Sequence, residues 1–163
     1  SAAPDGEGGI IVILNMNPGK PTERWNQIMT LPRRLTVEGD TVTMIPAGDI
    51  ESLRHNHRRI DRTTLPANQE ITLESISGNA IEIVAEIDPK KSSSVDLNIL
   101  LSPDREEFTR FTFYRDRGYR NRASGTQAST ITLDSTYSST AADVRSRAPE
   151  TAHFLLAEDE NLH

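Results

Sequence analysis

The stretch VDLNILLSPDREEFTRFTFYRD, residues 95–116, carries the pattern from which the fold class follows. Val95, Leu97 and Ile99 alternate with polar residues before the Ser-Pro-Asp break, and Phe111 and Phe113 alternate with Arg110, Thr112 and Tyr114 after it. A period of two sets the apolar side chains on one face of a pleated strand, whereas a helix would need spacings of three and four. Two such runs around a polar break predict strand, turn, strand. Upstream the alternation recurs in QEITLESI, 69–76, where Ile71 and Leu73 are followed by Ile76 out of phase, and in AIEIVAEID, 80–88, with Ile81 and Ile83. Downstream, residues 120–150 are rich in Ser, Thr and Ala and read as a long loop holding one short strand, 130–133. No crossover helices separate these runs. The expected class is therefore all-β, a two-sheet β-sandwich over 63–163 rather than a parallel sheet.

The first third of the chain shows a different texture. GIIVILNM, 9–16, is continuously apolar, as for a strand buried on both faces, and the NPGKP that follows ends it because proline cannot donate to a ladder. WNQIMTLPRRLTVEGDTVTMIPA, 25–47, predicts a strand, a proline-marked break, a second strand, a turn at Glu38-Gly39-Asp40 and a returning strand over 41–45. One helical stretch is expected within 49–62, with Asp49 as N-cap and Ile50 and Leu53 on one face. It would be a short connector. At the other end an acidic turn leads into Leu162-His163 as though a further strand were to follow, so the sandwich is expected to be C-terminally incomplete.

Composition narrows the function classes. A net charge of −6 argues against a protein that grips nucleic-acid phosphates over a broad face. No cysteine means no disulfide, no thiolate nucleophile and no cysteine metal site. The longest apolar run, 10–14, is far short of the roughly 20 residues of a membrane span, and the N-terminus carries no basic leader pattern, so neither a membrane partner nor a targeting segment is expected.

Nor does any constellation form a self-evident active site. His55 and His57 diverge on a helix and stand among Arg54, Arg58 and Arg59, which disfavours a cation and favours a basic patch; no metal and no cofactor are expected. Asp104, Glu106, Glu107 and Asp116 sit beside turns, and their spacing singles out no pair for glycosidic chemistry. The serines lack a nucleophile elbow, and no phosphate-binding glycine loop occurs. YRDRGYRNR, 114–122, interleaves tyrosines and arginines in a manner that can stack bases or sugars, although the arginines are expected to pair with nearby carboxylates.

Residues 25–54, WNQIMTLPRRLTVEGDTVTMIPAGDIESLR, resemble the segment of glycoside hydrolase family 32 (invertases, levanases, inulinases) that leaves the last propeller blade: a tryptophan, a Leu-Pro-Arg stretch, a hairpin and an E-x-L-R helix in the same order. GGIIVILNMNPGKPTE, 8–23, stands where the inner strand of that blade lies, and LLSPDREEFTRFTFYRD, 100–116, is similar to a strand-turn-strand of the family's C-terminal sandwich. The resemblance implies a remnant of the last blade over 1–48, a connector over 49–62 and the sandwich over 63–163. It also implies a parent enzyme that hydrolyses sucrose or fructans by a retaining two-carboxylate mechanism. The family's Trp-Asn-Asp-Pro, Arg-Asp-Pro and Glu-Cys motifs are not present: Arg115-Asp116 is followed by Arg117, and there is no cysteine. No catalytic residue is thus expected in this chain. Asn15, Asn17 and Trp25 are implied to lie near the parent's substrate funnel, and Arg33, Arg34 and Arg54 at its domain junction. The implied partners are carbohydrate, through the parent, and either the rest of the propeller or a second copy; an extracellular or periplasmic parent fits. Two alternatives stand beside this: a lectin-like module docking sugars through Tyr114, Tyr119 and Tyr137, for which 5% aromatics is little material, and a purely structural or dimerising sandwich.

Overall fold

The alternation in residues 95–116 becomes an antiparallel pair, and the rest of the structure, a computed structural model, is built in the same way. It describes residues 1–16, 23–144, 148–157 and 159–163. Two units are distinguished, Ser1–Ser75 and Ile76–His163. Among the described residues the chain is all-β, with no helix beyond one 3-10 turn.

In the first unit, β1 (Ala2–Pro4), β2 (Ile10–Val12), β5 (Arg33–Glu38) and β6 (Thr41–Pro46) form a four-stranded antiparallel sheet in the order β1-β2-β5-β6. The short β3 (Asn15–Met16) and β4 (Ile28–Met29) pair separately. The expected β5–β6 hairpin closes through Gly39 and Asp40, and Gly39 has φ +60° at the first central position, where a type II′ turn places its glycine. Register assigns the faces. Ala2, Val12, Pro4, Ile10, Leu35, Met44, Val37 and Val42 stand on one side by cross-strand register, with Arg33 and Pro46 at its edge, whereas Ile11, Arg34 and Ile45 share the other. GIIVILNM is not buried on both faces as its composition suggests: Ile10, Leu14 and Met16 are exposed. The reason is layering, since among the described residues no other strand of this unit packs across the sheet.

The connector expected within 49–62 shrinks to the 3-10 turn Glu51–Leu53. Its N-cap is Ile50 rather than the expected Asp49, which stands one residue ahead and bonds Ser52, its Oδ1 accepting from Ser52 N at 3.2 Å and its carbonyl from Ser52 Oγ at 2.8 Å. Leu53 is exposed, so there is no buried apolar stripe to sustain further turns, and Asn56, at φ +54°, turns the backbone out of the helical region.

In the second unit, β7 (Ser94–Ile99), β8 (Thr109–Tyr114), β9 (Ser129–Asp134) and β10 (Glu150–Phe154) form an antiparallel sheet in the order β10-β9-β8-β7. Val95 pairs with Phe113 and Leu97 with Phe111, which in turn face Ile131 and Leu133, giving one apolar face. Phe113, 3% exposed, lies at its centre with Phe154 6.2 Å away. β9 coincides with the short strand expected at 130–133, extended by a residue at each end, while β10 begins inside the stretch read as loop. The alternating runs 69–76 and 80–88 do not join a ladder. A turn at Glu74 and Ser75 falls where the first run loses phase, and the second is held near its end, where Ile87 exchanges backbone hydrogen bonds of 2.9 and 2.8 Å with Leu162 and Glu86 Oε1 accepts from Asn161 Nδ2 at 2.7 Å. Alternation makes a segment competent to pair, but a strand exists only where a neighbour takes its backbone donors and acceptors. In total 13572 Å² of surface is accessible, against roughly 10,000 Å² for two separate compact bodies sharing this mass. Apolar side chains in both units are left open.

Candidate functional site

The face of the second sheet opposite Phe113 is polar, and register arranges it in rows. Asp96, Thr112, Thr132 and Thr151 lie in line across all four strands, and Ser94, Tyr114, Thr130 and His153 form the adjacent row. Within the first row Thr112 Oγ1 donates to Asp96 Oδ1 at 2.7 Å, and the hydroxyls of Thr132 and Thr151 are 3.0 Å apart. In the next row along the strands, Arg110 Nε donates to Asn98 Oδ1 at 2.8 Å and Arg110 stands opposite Asp134. Hydrogen bonds from the Thr136 side chain and backbone N–H, followed by the charge of Arg110, hold the Asp134 carboxyl below its ordinary value. Thr112 and Thr130 are buried, so longer neighbours stand around a floor of hydroxyls.

Each end of this face carries an aromatic group. At one, Arg110 lies 5.0 Å over Phe108, which stacks on Tyr137 at 5.2 Å. Thr140 clasps the neighbouring loop to the β7–β8 turn, donating to Glu107 Oε1 from its backbone (2.7 Å) and hydroxyl (2.9 Å). At the other end Tyr119 leans on His153, ring centres 5.6 Å apart. The turn between β8 and β9 that presents Tyr119 is pinned by Gly118 N to Ala128 O (2.7 Å) and Ala128 N to Tyr119 O (2.9 Å). Gly118 permits this closeness, because a Cβ there would fall 2.7 Å from His153 Nδ1 and 2.9 Å from Ala128 Cβ.

Asp104 and Glu107 of the β7–β8 turn are spent on structure. Asp104 accepts from Ser102 Oγ and from Glu106 N, and these bonds, the hydroxyl's first, lower its carboxyl's pKa. Glu107 is committed to Thr140. Among the described residues no group of three or more His, Asp or Glu is placed to hold a metal ion, and no helix is long and apolar enough to cross a membrane.

The residues singled out from sequence sit in the first unit. Asn15, on β3, donates from Nδ2 to Gln27 Oε1, and Trp25 precedes β4 on the same ribbon, exposed. Asn17 lies outside the described residues. Arg33 points NH1 at Met44 Sδ, 3.9 Å away, and Arg54 pairs with Glu51 one turn back. Arg34 is anchored on two carboxylates. Its Nε donates to Asp5 Oδ2 at 2.5 Å and its NH2 lies 3.3 Å from Glu7 Oε2. Asp5 Oδ1 accepts from the backbone N–H groups of Glu7 (2.7 Å) and Gly9 (2.9 Å), and these bonds with Arg34 take the Asp5 pKa from 3.8 to about 2, the Glu7 N–H contributing most. Arg33, Arg34 and Arg54 thus all have partners within their own unit. Among the described residues the arginines of 114–122 do not pair with carboxylates as the sequence suggests. Arg115 donates to the carbonyls of Lys90 (2.6 Å) and Ser92 (3.4 Å), and Arg120 to that of Gly125 (3.3 Å).

Sequence reasoning missed the polar rows of the second sheet and the Tyr119–His153 contact. The signal was there, as the polar partners of each apolar alternation, but only register says which of them align.

No curated protein and no solved structure matches the chain. Residues 49–163 match the family described as glycosyl hydrolases family 32 C terminal, a β-sandwich domain. That span holds the whole second sheet with its polar rows and covers well over half of the molecule, so the chain belongs to glycoside hydrolase family 32 by its C-terminal domain.

Proposed function

We propose that the chain is the non-catalytic C-terminal portion of a glycoside hydrolase acting on sucrose or fructans. In this reading 1–48 is the last blade of the catalytic propeller, 49–62 the connector and 63–163 the sandwich. The observation that carries it is the first sheet. It is a four-stranded antiparallel sheet, the size of one propeller blade, and it exposes Ile10, Val37, Val42 and Met44 on one face directly ahead of the residues that match the family. A lone blade cannot bury such a face, and a neighbouring blade of the same protein would. Asn15 and Trp25 then line the approach to the substrate funnel, and Arg33, Arg34 and Arg54 brace the junction from their local partners. The catalytic carboxylates reside in preceding blades, and carbohydrate meets the protein chiefly there.

The test compares this chain with a longer product of the same gene that includes the preceding blades. The longer protein should release fructose from sucrose, levan or inulin while the chain alone releases none. Hydrolysis by the chain alone, or by neither, overturns the reading.

A further inference from the structure

We propose that the arginine-rich loop 115–122, with the aromatic end of the polar face beside it, binds a polysaccharide that bears carboxylate groups. The charge is local. Residues 114–122 hold Arg115, Arg117, Arg120 and Arg122 against Asp116 alone, +4 − 1 = +3, in a chain of net charge −6, which leaves −9 for everything else. A cation cluster on an acidic protein usually neutralises neighbouring carboxylates, yet among the described residues none of these four arginines is in an ion pair. Arg120 holds the Gly125 carbonyl, which fixes its position without cancelling its charge, whereas Arg115 reaches the Lys90 carbonyl from over the Phe113 ring, on the other face of the sheet, and adds only its charge. Arg117 borders a shallow cleft with Tyr114.

The loop is built to hold its shape. Besides the Gly118–Ala128 and Tyr119–Ala128 bonds, Asn121 N donates to Thr126 O and Gly125 N to Asn121 O, both at 2.8 Å, and Asp116 N to Ser129 Oγ at 3.2 Å. Preorganised donors lose little entropy on binding. Tyr114 and His153 occupy the same row of one face, separated by Thr130, so they stand two strands or about 10 Å apart. Tyr119 rests against His153, and both tyrosines are exposed.

Guanidinium groups fork onto carboxylates in a bidentate manner, aromatic rings pack on the apolar faces of sugar rings, and a floor of hydroxyls satisfies sugar hydroxyls. All three meet here. An acidic peptide would use the arginines but leave the ring pair and hydroxyl row unexplained. Duplex nucleic acid, with about one charge per 1.7 Å, would meet the negative remainder of the chain beyond the loop. The choice of a saccharide agrees with the family, but the site does not depend on where the catalytic carboxylates reside.

The test is affinity electrophoresis of the full chain through gels containing polygalacturonate, its fully methyl-esterified form, levan or polyglutamate. Polygalacturonate should retard the protein, less so as salt rises, and the ester and levan should not. R117A/R122A and Y119A, each checked by circular dichroism, should weaken retardation at least tenfold, and K91A, outside the loop, should leave it unchanged. Three results overturn the proposal: no retardation by polygalacturonate, retardation that the loop variants leave unaltered, and retardation by polyglutamate as strong as by polygalacturonate. Levan binding that survives R117A/R122A also counts against it. Loss of the hydrolysis expected of the longer protein would leave a positive gel result standing, so the two readings fail separately.

Discussion

Replacing Val37 and Val42 together with lysine should abolish association through the first sheet while leaving the sheet folded. The two valines form a direct cross-strand pair beside the Gly39 turn and are 71% and 62% exposed, with Met44 at 49% and Ile10 at 48% on the same face. Full burial of such a side chain is worth about 1.5–3 kcal/mol, so covering what remains exposed yields about 1–2 kcal/mol for each valine and about 1 kcal/mol for each of the other two. A covered face therefore gains about 4–6 kcal/mol, or about 8–12 kcal/mol when two copies cover one another, against an association cost of about 4–15 kcal/mol. The chain alone should self-associate weakly and reversibly. V37K/V42K removes about 2–4 kcal/mol per copy and adds repulsion, which makes it monomeric throughout. Because both side chains are exposed, unfolding of the variant should shift by only about 0.5 kcal/mol. Sedimentation velocity over a concentration series, paired with hydroxyl-radical footprinting of Val37 and Val42, measures both ends of the argument. A wild-type chain that stays monomeric at every concentration with both valines reactive would show that the face needs no cover. So would equal association of the double variant.

Other perturbations probe the second sheet and the Asp5 loop. Phe113→Ala removes the large apolar side chain buried at the centre of the β7–β10 face and should cost about 3–5 kcal/mol in urea unfolding; a loss below about 1 kcal/mol would mean that the face is not a core. Gly118→Ala brings a methyl against His153 and Ala128, so the Tyr119–His153 contact should break, visible as a shift of the His153 ring resonances; unchanged resonances refute the close packing. Asp5 is easier to ionise in the fold than in the unfolded chain, so its contribution is fully present above about pH 4 and is lost as pH falls from 3.8 through about 2. Asn at position 5 should flatten that part of the stability profile, and an unaltered acid limb would remove Asp5 as its cause.

The legibility of this chain followed the range of the forces involved. The alternations at 95–99 and 110–114, the Glu38-Gly39-Asp40 turn and the strand at 130–133 depend on neighbours a few residues away, and all were visible as pattern. The runs at 69–76 and 80–88 have similar alternation but no ladder partner over their length, and nothing local distinguishes a strand that finds a neighbour from one that does not. Asp49 bonds Ser52 but stands one residue ahead of the N-cap, Ile50, and the length of the turn depends on whether anything buries Leu53. For the candidate site, Tyr114, Tyr119 and the surrounding arginines are visible as a pattern, whereas the carbonyl partners of Arg115 are not deducible, because it finds Lys90 and Ser92 through the β7–β8 pairing rather than through proximity in sequence.

All-β character, the lack of the family's catalytic motifs and membership of glycoside hydrolase family 32 were legible in the order of residues, because side-chain periodicity, turn chemistry and motif content are properties of short segments. Which polar residues line up across four strands, which face remains open, and which arginines keep their charge unanswered were settled only in three dimensions. Register and burial bring together Asp96 and Thr151, or Tyr119 and His153, whose separations along the chain carry no local signal of their meeting.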